Sequence, residues 1–179
     1  PLSVIEKDES EKKKYLLSLH NNVFLKDIVE RYNLKDDVLL SSLIDILYSS
    51  VGSLTNTHKL ANTAESMMKV KSSDNTIKKY IDYLEDAFIF RSSKRYDVKG
   101  RRYFGTNLKY YATDVGLRNA KLNFRQYERS NIMENIIYNE LLIRGYNVDV
   151  GVVEIREGNI RKQLEVDFVC NQGSKRYYI

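Results

Sequence analysis

The side chains of this sequence whose types and spacing could do chemistry are mainly cations. Lys94, Arg95, Lys99, Arg101 and Arg102 flank the short segment Asp97-Val98-Lys99-Gly100, and Lys78 and Lys79 stand upstream on a helical stretch. Cations gathered around a tight turn can lie along a phosphate backbone and fix a protein's position on a duplex while a preceding helix enters a groove. Tyr96, Tyr103, Tyr110 and Tyr111 interleave with them and could stack on bases or touch phosphates, although aromatic residues at strand period more often serve packing. The other reactive types are sparse. The single cysteine, Cys170, excludes an internal disulfide and a cysteine-based zinc cluster, and it stands in phase with Leu164, Val166 and Phe168 on the expected buried face of a strand. His20 and His58 lie far apart without metal-ligand spacing and read as surface or capping residues.

The elements that must position these cations are visible as periodicity. Ile77, Tyr80, Ile81, Leu84, Ala87 and Phe88 recur at three and four residues, which predicts a helix from Asp74 with Ser73 as its cap. Residues Ala87 to Tyr96 read as a strand, Asp97 to Gly100 as a turn, and Arg101 to Phe104 as the returning strand. Upstream, Lys7 to Lys14 is a mixed charge run that reads as a solvated first helix, and helices are expected over Phe24 to Tyr32, Asp36 to Ser49 and Thr57 to Met68. Val51-Gly52-Ser53 and Lys71-Ser72-Ser73 break the chain between them. Helices followed by a basic hairpin are the order of a winged helix. Downstream, Lys109-Tyr110-Tyr111 leads to an expected strand end and turn at Thr113 to Leu117, and Ala120 to Ser130 is polar and linker-like. A helix is predicted over Asn131 to Arg144 with Gly145 as its stop, then strands over Tyr146 to Ile155, Leu164 to Cys170 and Lys175 to Ile179. In the second of these, strict alternation places Glu165, Asp167 and Val169 opposite the apolar face. The expected fold class is mixed α+β and α/β, with a helical winged-helix domain over 1–120 and an αβ domain over 121–179.

Composition bounds the partners. The chain has 179 residues, 42% of them hydrophobic, with a formal net charge of +5 and a pI near 9.1. That balance permits contact with nucleic acid or an acidic surface without specifying either. No apolar run approaches the length that spans a bilayer, and no signal-peptide core follows the N-terminus, so a cytoplasmic location without a membrane partner is expected. Proline at position 1 and an apolar strand that stops at Ile179 read as the ends of an excerpt from a longer protein.

Several motifs in order support a family comparison: Lys26-Asp27-Ile28-Val29-Glu30-Arg31-Tyr32, Asn75 to Glu85, Lys109-Tyr110-Tyr111 with Asp114-Val115-Gly116-Leu117-Arg118-Asn119-Ala120, Glu134 to Leu141, Arg144 to Val148 and Glu165-Val166-Asp167-Phe168-Val169. The series resembles the C-terminal half of AAA-type ATPases that carry the domain of unknown function 4143. The resemblance implies a parent with an N-terminal P-loop ATPase module that uses ATP and Mg, then a winged helix, then a restriction-endonuclease-like PD-(D/E)xK domain, here incomplete at its C-terminus. No G-x-x-x-x-G-K-[ST] occurs, so no loop is present to cradle nucleotide phosphates, and these residues are not expected to hydrolyse ATP or hold a cofactor of their own. Arg31 is expected in an ion pair with Asp27 or Glu30. The same resemblance makes Glu134 and Asp167 candidate catalytic and metal-holding carboxylates for Mg or Mn, with Glu165, about 7 Å from Asp167 along the strand, as an assistant. The third element of such a site falls at or beyond Ile179. The competing reading pairs Glu134 and Asp167 with Arg144, Lys162 or a helix terminus.

Three functions follow as expectations. The first is a DNA-binding and assembly region that uses Lys78, Lys79, Arg95, Lys99, Arg101 and Arg102, works beside the missing ATPase module and has an oligomeric state left open. The alternatives are a metal-dependent nuclease built on Glu134 and Asp167, and a structural module that couples to a protein partner.

Overall fold

The computed structural model describes residues 4–35, 37–69, 71–103, 105–125, 128–158 and 160–179. Its elements run α1 (Glu9–Ser18), a π-helical segment (Leu19–Leu25), α2 (Lys26–Arg31), α3 (Asp37–Ser49), β1 (Leu54–Thr55), α4 (Thr57–Met68), α5 (Asp74–Asp86), β2 (Phe90–Ser93), β3 (Arg95–Asp97), β4 (Arg102–Tyr103), β5 (Leu108–Ala112), α6 (Val115–Lys121), α7 (Arg129–Ile143), β6 (Asn147–Glu157), β7 (Ile160–Gln172) and β8 (Lys175–Tyr178). The chain is mixed α/β with two sheets, one ordered β1-β5-β2 and one ordered β4-β3-β6-β7-β8. No helix among the described residues is long and apolar enough to cross a membrane.

The helical layer forms because its apolar stripes meet. Ser73 Oγ accepts the Thr76 amide at 3.1 Å and starts α5, whose Ile77, Tyr80, Ile81 and Leu84 are buried with Leu40, Leu43 and Ile44 of α3 and Leu60 and Ala64 of α4. Each such side chain contributes roughly 1.5–3 kcal/mol by leaving water. Strand β5 belongs to two cores at once because successive side chains point to opposite faces. Tyr110 and Ala112 join the helical core, whereas Tyr111 packs with Tyr138, Phe168 and Cys170 in a second core beneath α7. The remaining edge of β5, which the two-residue β1 does not cover, is closed by other groups. The Gly52 amide donates to the Tyr110 carbonyl at 3.0 Å, and the buried Asn135 amide group bonds both the N–H and the C=O of Ala112 at 2.8 Å. An unpaired edge inside the molecule would otherwise strand those polar groups.

The expected single strand over Ala87 to Tyr96 serves two sheets. Phe90–Ser93 pairs with β5, and after Lys94 the same run continues as β3, which pairs parallel with Val150–Val152 of β6 and antiparallel with Arg102–Tyr103. The larger sheet therefore draws strands from both sides of residue 120. Ala87 and Phe88 form the turn into the strand, with Phe88 at φ +55°.

Several local expectations are corrected. The turn expected at Thr113 to Leu117 is the start of α6, where Asp114 Oδ1 accepts the Leu117 amide at 2.9 Å, and this helix runs into the stretch read as linker. Phe24 to Tyr32 is not one helix, since the π-helical segment reaches Leu25 before α2 begins. His20 is buried against Tyr48 rather than on the surface, and burial lowers its pKa, while Asn21 supplies a hydrogen bond. Strict alternation over Leu164 to Cys170 is interrupted: Asp149 faces Val169 but Gly151 faces Val166, so Asp167 and Phe168 together stand opposite Val150. This extra residue is a bulge, and it resets which side chains share a face. Phe104 and Asp36 lie outside the described residues.

Candidate nucleic-acid interface

The hairpin turn is shaped by one carboxylate. Asp97 Oδ1 accepts the Lys99 and Gly100 amides at 3.1 and 2.8 Å, an Asx turn, and a Cβ on Gly100 would fall 2.2 Å from Asp97 Oδ2. Glycine is thereby required at that position. Around the turn, Arg95 donates to Gln163 Oε1 at 2.9 Å, Lys99 Nζ reaches the Glu154 carbonyl at 3.3 Å, and Arg102 lies 3.7 Å from Asp97. Arg101 sits at the tip, exposed, with φ +51°. On α5, Lys78 and Lys79 are both exposed, and Lys79 Nζ stands 5.8 Å from the Tyr83 ring centre. Lys78 lines a groove with Thr106 and Leu108, and Leu108 also lines the neighbouring groove with Lys94, Arg95 and Gly105. Lys78 thus borders a groove that adjoins the one lined by Lys94 and Arg95, with Asp82 and Glu85 beside Lys78, while Lys99 lines a separate groove with Asp97, Glu154 and Arg156. Arg31 pairs with Asp27 at 2.5 Å and with Asp86 at 3.4 Å.

The carboxylates are arranged by Lys109, to which sequence reasoning gave no role. Lys109 Nζ lies 2.9 Å from Glu134 Oε1 and 2.6 Å from Glu165 Oε1, with its side chain only 5% exposed. Tyr111 donates its hydroxyl to the same Glu134 oxygen at 2.7 Å. Lys109 and Tyr111 are two apart on β5 and so share a face, while the bulge in β7 turns Glu165 toward that face together with Phe168. Burial opposes the Lys109 charge, but its hydrogen bonds to Glu165 and Glu134 and their charges outweigh burial and raise its pKa. Burial, then the charge and hydrogen bond of Glu134, push the Tyr111 phenol up, so it stays a donor. The left-handed Gly52, at φ +72°, lies against this carboxylate, since a Cβ there would come 3.2 Å from Glu134 Oε2.

Asp167 is not drawn into this cluster. It is exposed and forms no hydrogen bond or ion pair among the described residues, and Arg144 pairs with Glu140 instead of either candidate acid. Among the described residues no group of three carboxylate, histidine or cysteine side chains is placed to hold a metal ion. Glu134 and Glu165 share one ammonium, and Asp167, the other expected ligand, stands apart from both.

A second polar feature was also unforeseen. Asp149 is 9% exposed and accepts the Tyr103 hydroxyl at 2.8 Å. Burial raises the Asp149 pKa against the opposing effects of Tyr103, Lys94 and Arg176, and the bond to Asp149 pushes the Tyr103 phenol up to about 12. A signal was present for both missed residues: Lys109 between Leu108 and Tyr110, and Asp149 between Val148 and Val150, are charges inside apolar strand runs.

Comparison with known proteins bears on family alone. A protein of Haemophilus influenzae described as uncharacterized is 38% identical over 177 residues, which cover 99% of this chain and 42% of that protein. An uncharacterized protein of Methanocaldococcus jannaschii is 27% identical over 162 residues, covering 90% of this chain and 35% of its own length. The chain therefore spans less than half the length of these relatives. No solved structure matches it. The family model that matches, over residues 1–128, is described as Domain of unknown function (DUF8612), and neither it nor the relatives carry an ATPase description. This overturns the resemblance to AAA-type ATPases with domain 4143. The motifs behind that resemblance are capped helices and alternating strands, patterns that general packing physics imposes on many unrelated chains. On the match over residues 1–128, the chain belongs to the family described as Domain of unknown function (DUF8612).

Proposed function

We propose that the chain is a nucleic-acid-binding module in which α3, α4 and α5 with the sheet β1-β5-β2 act as a winged helix and the β3–β4 hairpin as its wing. The observation that carries this reading is topological. Helix α3, the short strand β1, helices α4 and α5 and then strands β2 and β5 of the same sheet follow along the chain, with β3 and β4 of the larger sheet between those two, and β1 bonds β5. That arrangement leaves the third helix free to offer an outer face to a groove while the hairpin reaches the backbone. Lys78 and Lys79 on α5 and Lys99, Arg101 and Arg102 on the hairpin supply the phosphate contacts, with Arg95 bracing the hairpin against Gln163. In this reading the sheet β6-β7-β8 with α7, the restriction-endonuclease-like layer, is a support for the wing, because Lys109 ties its two converging carboxylates together.

The test is fluorescence anisotropy of a labelled duplex at several salt concentrations, beside the variant Lys78→Gln/Lys79→Gln/Arg101→Gln. Binding is expected to weaken steeply with salt. The triple variant should flatten the log–log slope by about 3, since each phosphate that a cation no longer neutralises removes about 0.9 from it. A protein that fails to bind at low salt, or a variant with an unchanged slope, overturns the reading.

A further inference from the structure

Beside the hairpin lies a cleft of about 620 Å³ that the duplex contacts above do not use. It is bordered by α5, β2, β4, α7, β6, β7 and β8, and its size is that of a small-ligand site. Three cations face it: Arg91, Lys94 and Arg176. None forms an ion pair with a carboxylate among the described residues. Arg176 is held ready by Asn171 Oδ1 and the Tyr96 hydroxyl, each at 2.7 Å, and lies 4.7 Å from the Tyr96 ring centre. Arg91 rests over Phe88 and Lys94 over Tyr103. Of the carboxylates, Glu85 is occupied by the Ser92 amide at 2.8 Å, which leaves Asp149, tied to Tyr103, as the acceptor within the cleft.

This set does not suit a bare inorganic anion, which would meet Asp149 together with the cations. It suits a ligand that carries a phosphate at one end and hydrogen-bond donors at the other. Tyr103, an exposed residue, adds an aromatic ring on which a base can stack, and Asn147 and Asn171 add amides that both donate and accept. We propose that the cleft receives one unpaired nucleotide of a nucleic acid, with its phosphate at Lys94, Arg91 and Arg176, its base on Tyr103 and a donor at Asp149. The proposal rests on the nucleic-acid reading above and deepens it: the substrate class becomes a duplex with a single-stranded end, its paired part on the wing.

The experiment compares blunt duplex with the same duplex carrying a short single-stranded overhang, using the intact chain and the variant Arg91→Gln/Lys94→Gln. The overhang duplex is expected to bind about tenfold more tightly, in keeping with one stacked base and its phosphate. The double variant should bring the ratio of the two affinities to about one. A second variant, Tyr103→Leu, should reduce the same ratio without altering net charge. Equal affinity of the intact chain for both duplexes overturns the nucleotide site and leaves the duplex reading standing. Failure to bind either duplex overturns both. Inorganic phosphate that displaces the overhang's advantage as effectively as a mononucleotide overturns the assignment of a nucleotide.

Discussion

At the scale of single residues, Lys109 decides what the converging acids can do. It is buried, it holds Glu134 and Glu165 together, and without it two carboxylates would face each other beside a tyrosine hydroxyl. Lys109→Met is expected to cost about 3–5 kcal/mol, the usual penalty for leaving one side of a buried ion pair without its partner, measured by urea denaturation. Glu165→Gln should cost less, about 1 kcal/mol or under, because Glu165 is partly in water. The pH dependence has a definite sign. The folded lysine holds its proton more tightly than the ordinary value of 10.5, so its contribution is complete below that value and disappears as pH climbs through the higher folded pKa. From neutral pH upward the gap between parent and Lys109→Met should therefore stay constant until it closes in strong alkali. A gap that closes near neutrality would contradict the pairing.

Among the elements, β7 shows how a local insertion redirects chemistry. Its bulge places two residues opposite Val150, and Gly151 beside it has no room for a side chain, since a Cβ would lie 2.8 Å from Val166 Cβ and 2.8 Å from Val169 Cγ2. Gly151→Ala is expected to destabilise by about 1–3 kcal/mol through overpacking, seen as a lower urea midpoint with an unchanged slope. The elements legible in the sequence are those whose signal is local. Helix α5 announces itself through a capping serine and a long apolar stripe, and α7 through the stop at Gly145, which adopts φ +82°, although Met133, Ile136 and Ile137 of its apolar series are exposed and Asn135 and Tyr138 are buried instead. Helix α6 is only seven residues long, too short for periodicity to separate from a turn. The bulge is invisible because alternation counts residues and cannot tell that one is unpaired. For the same reason strict alternation sets Glu165 on the face away from Phe168, and Lys109, which pairs with residues 25 and 56 positions away, has no local mark beyond its apolar neighbours.

For the molecule as a whole, the two sheets are joined by one continuous run of chain, Phe90 to Asp97, and by the side chains of β5 that enter both cores. Unfolding is accordingly expected to be a single transition. Far-ultraviolet circular dichroism, which follows the helices, and the NMR signals of Phe168 and Val169 in the larger sheet should give the same denaturant midpoint. Two separated midpoints would show that residues on either side of position 120 fold independently. The ladder that β3 forms with β6 has a further thermodynamic effect. A hairpin hanging free in solvent must surrender its backbone entropy when it meets a partner, roughly 1–2 kcal/mol for each residue it orders. Here residues 95–97 are immobilised when the chain folds, so that loss is charged to folding and is absent from association, which leaves more of the contact energy available as affinity and makes docking a collision between two shapes already formed.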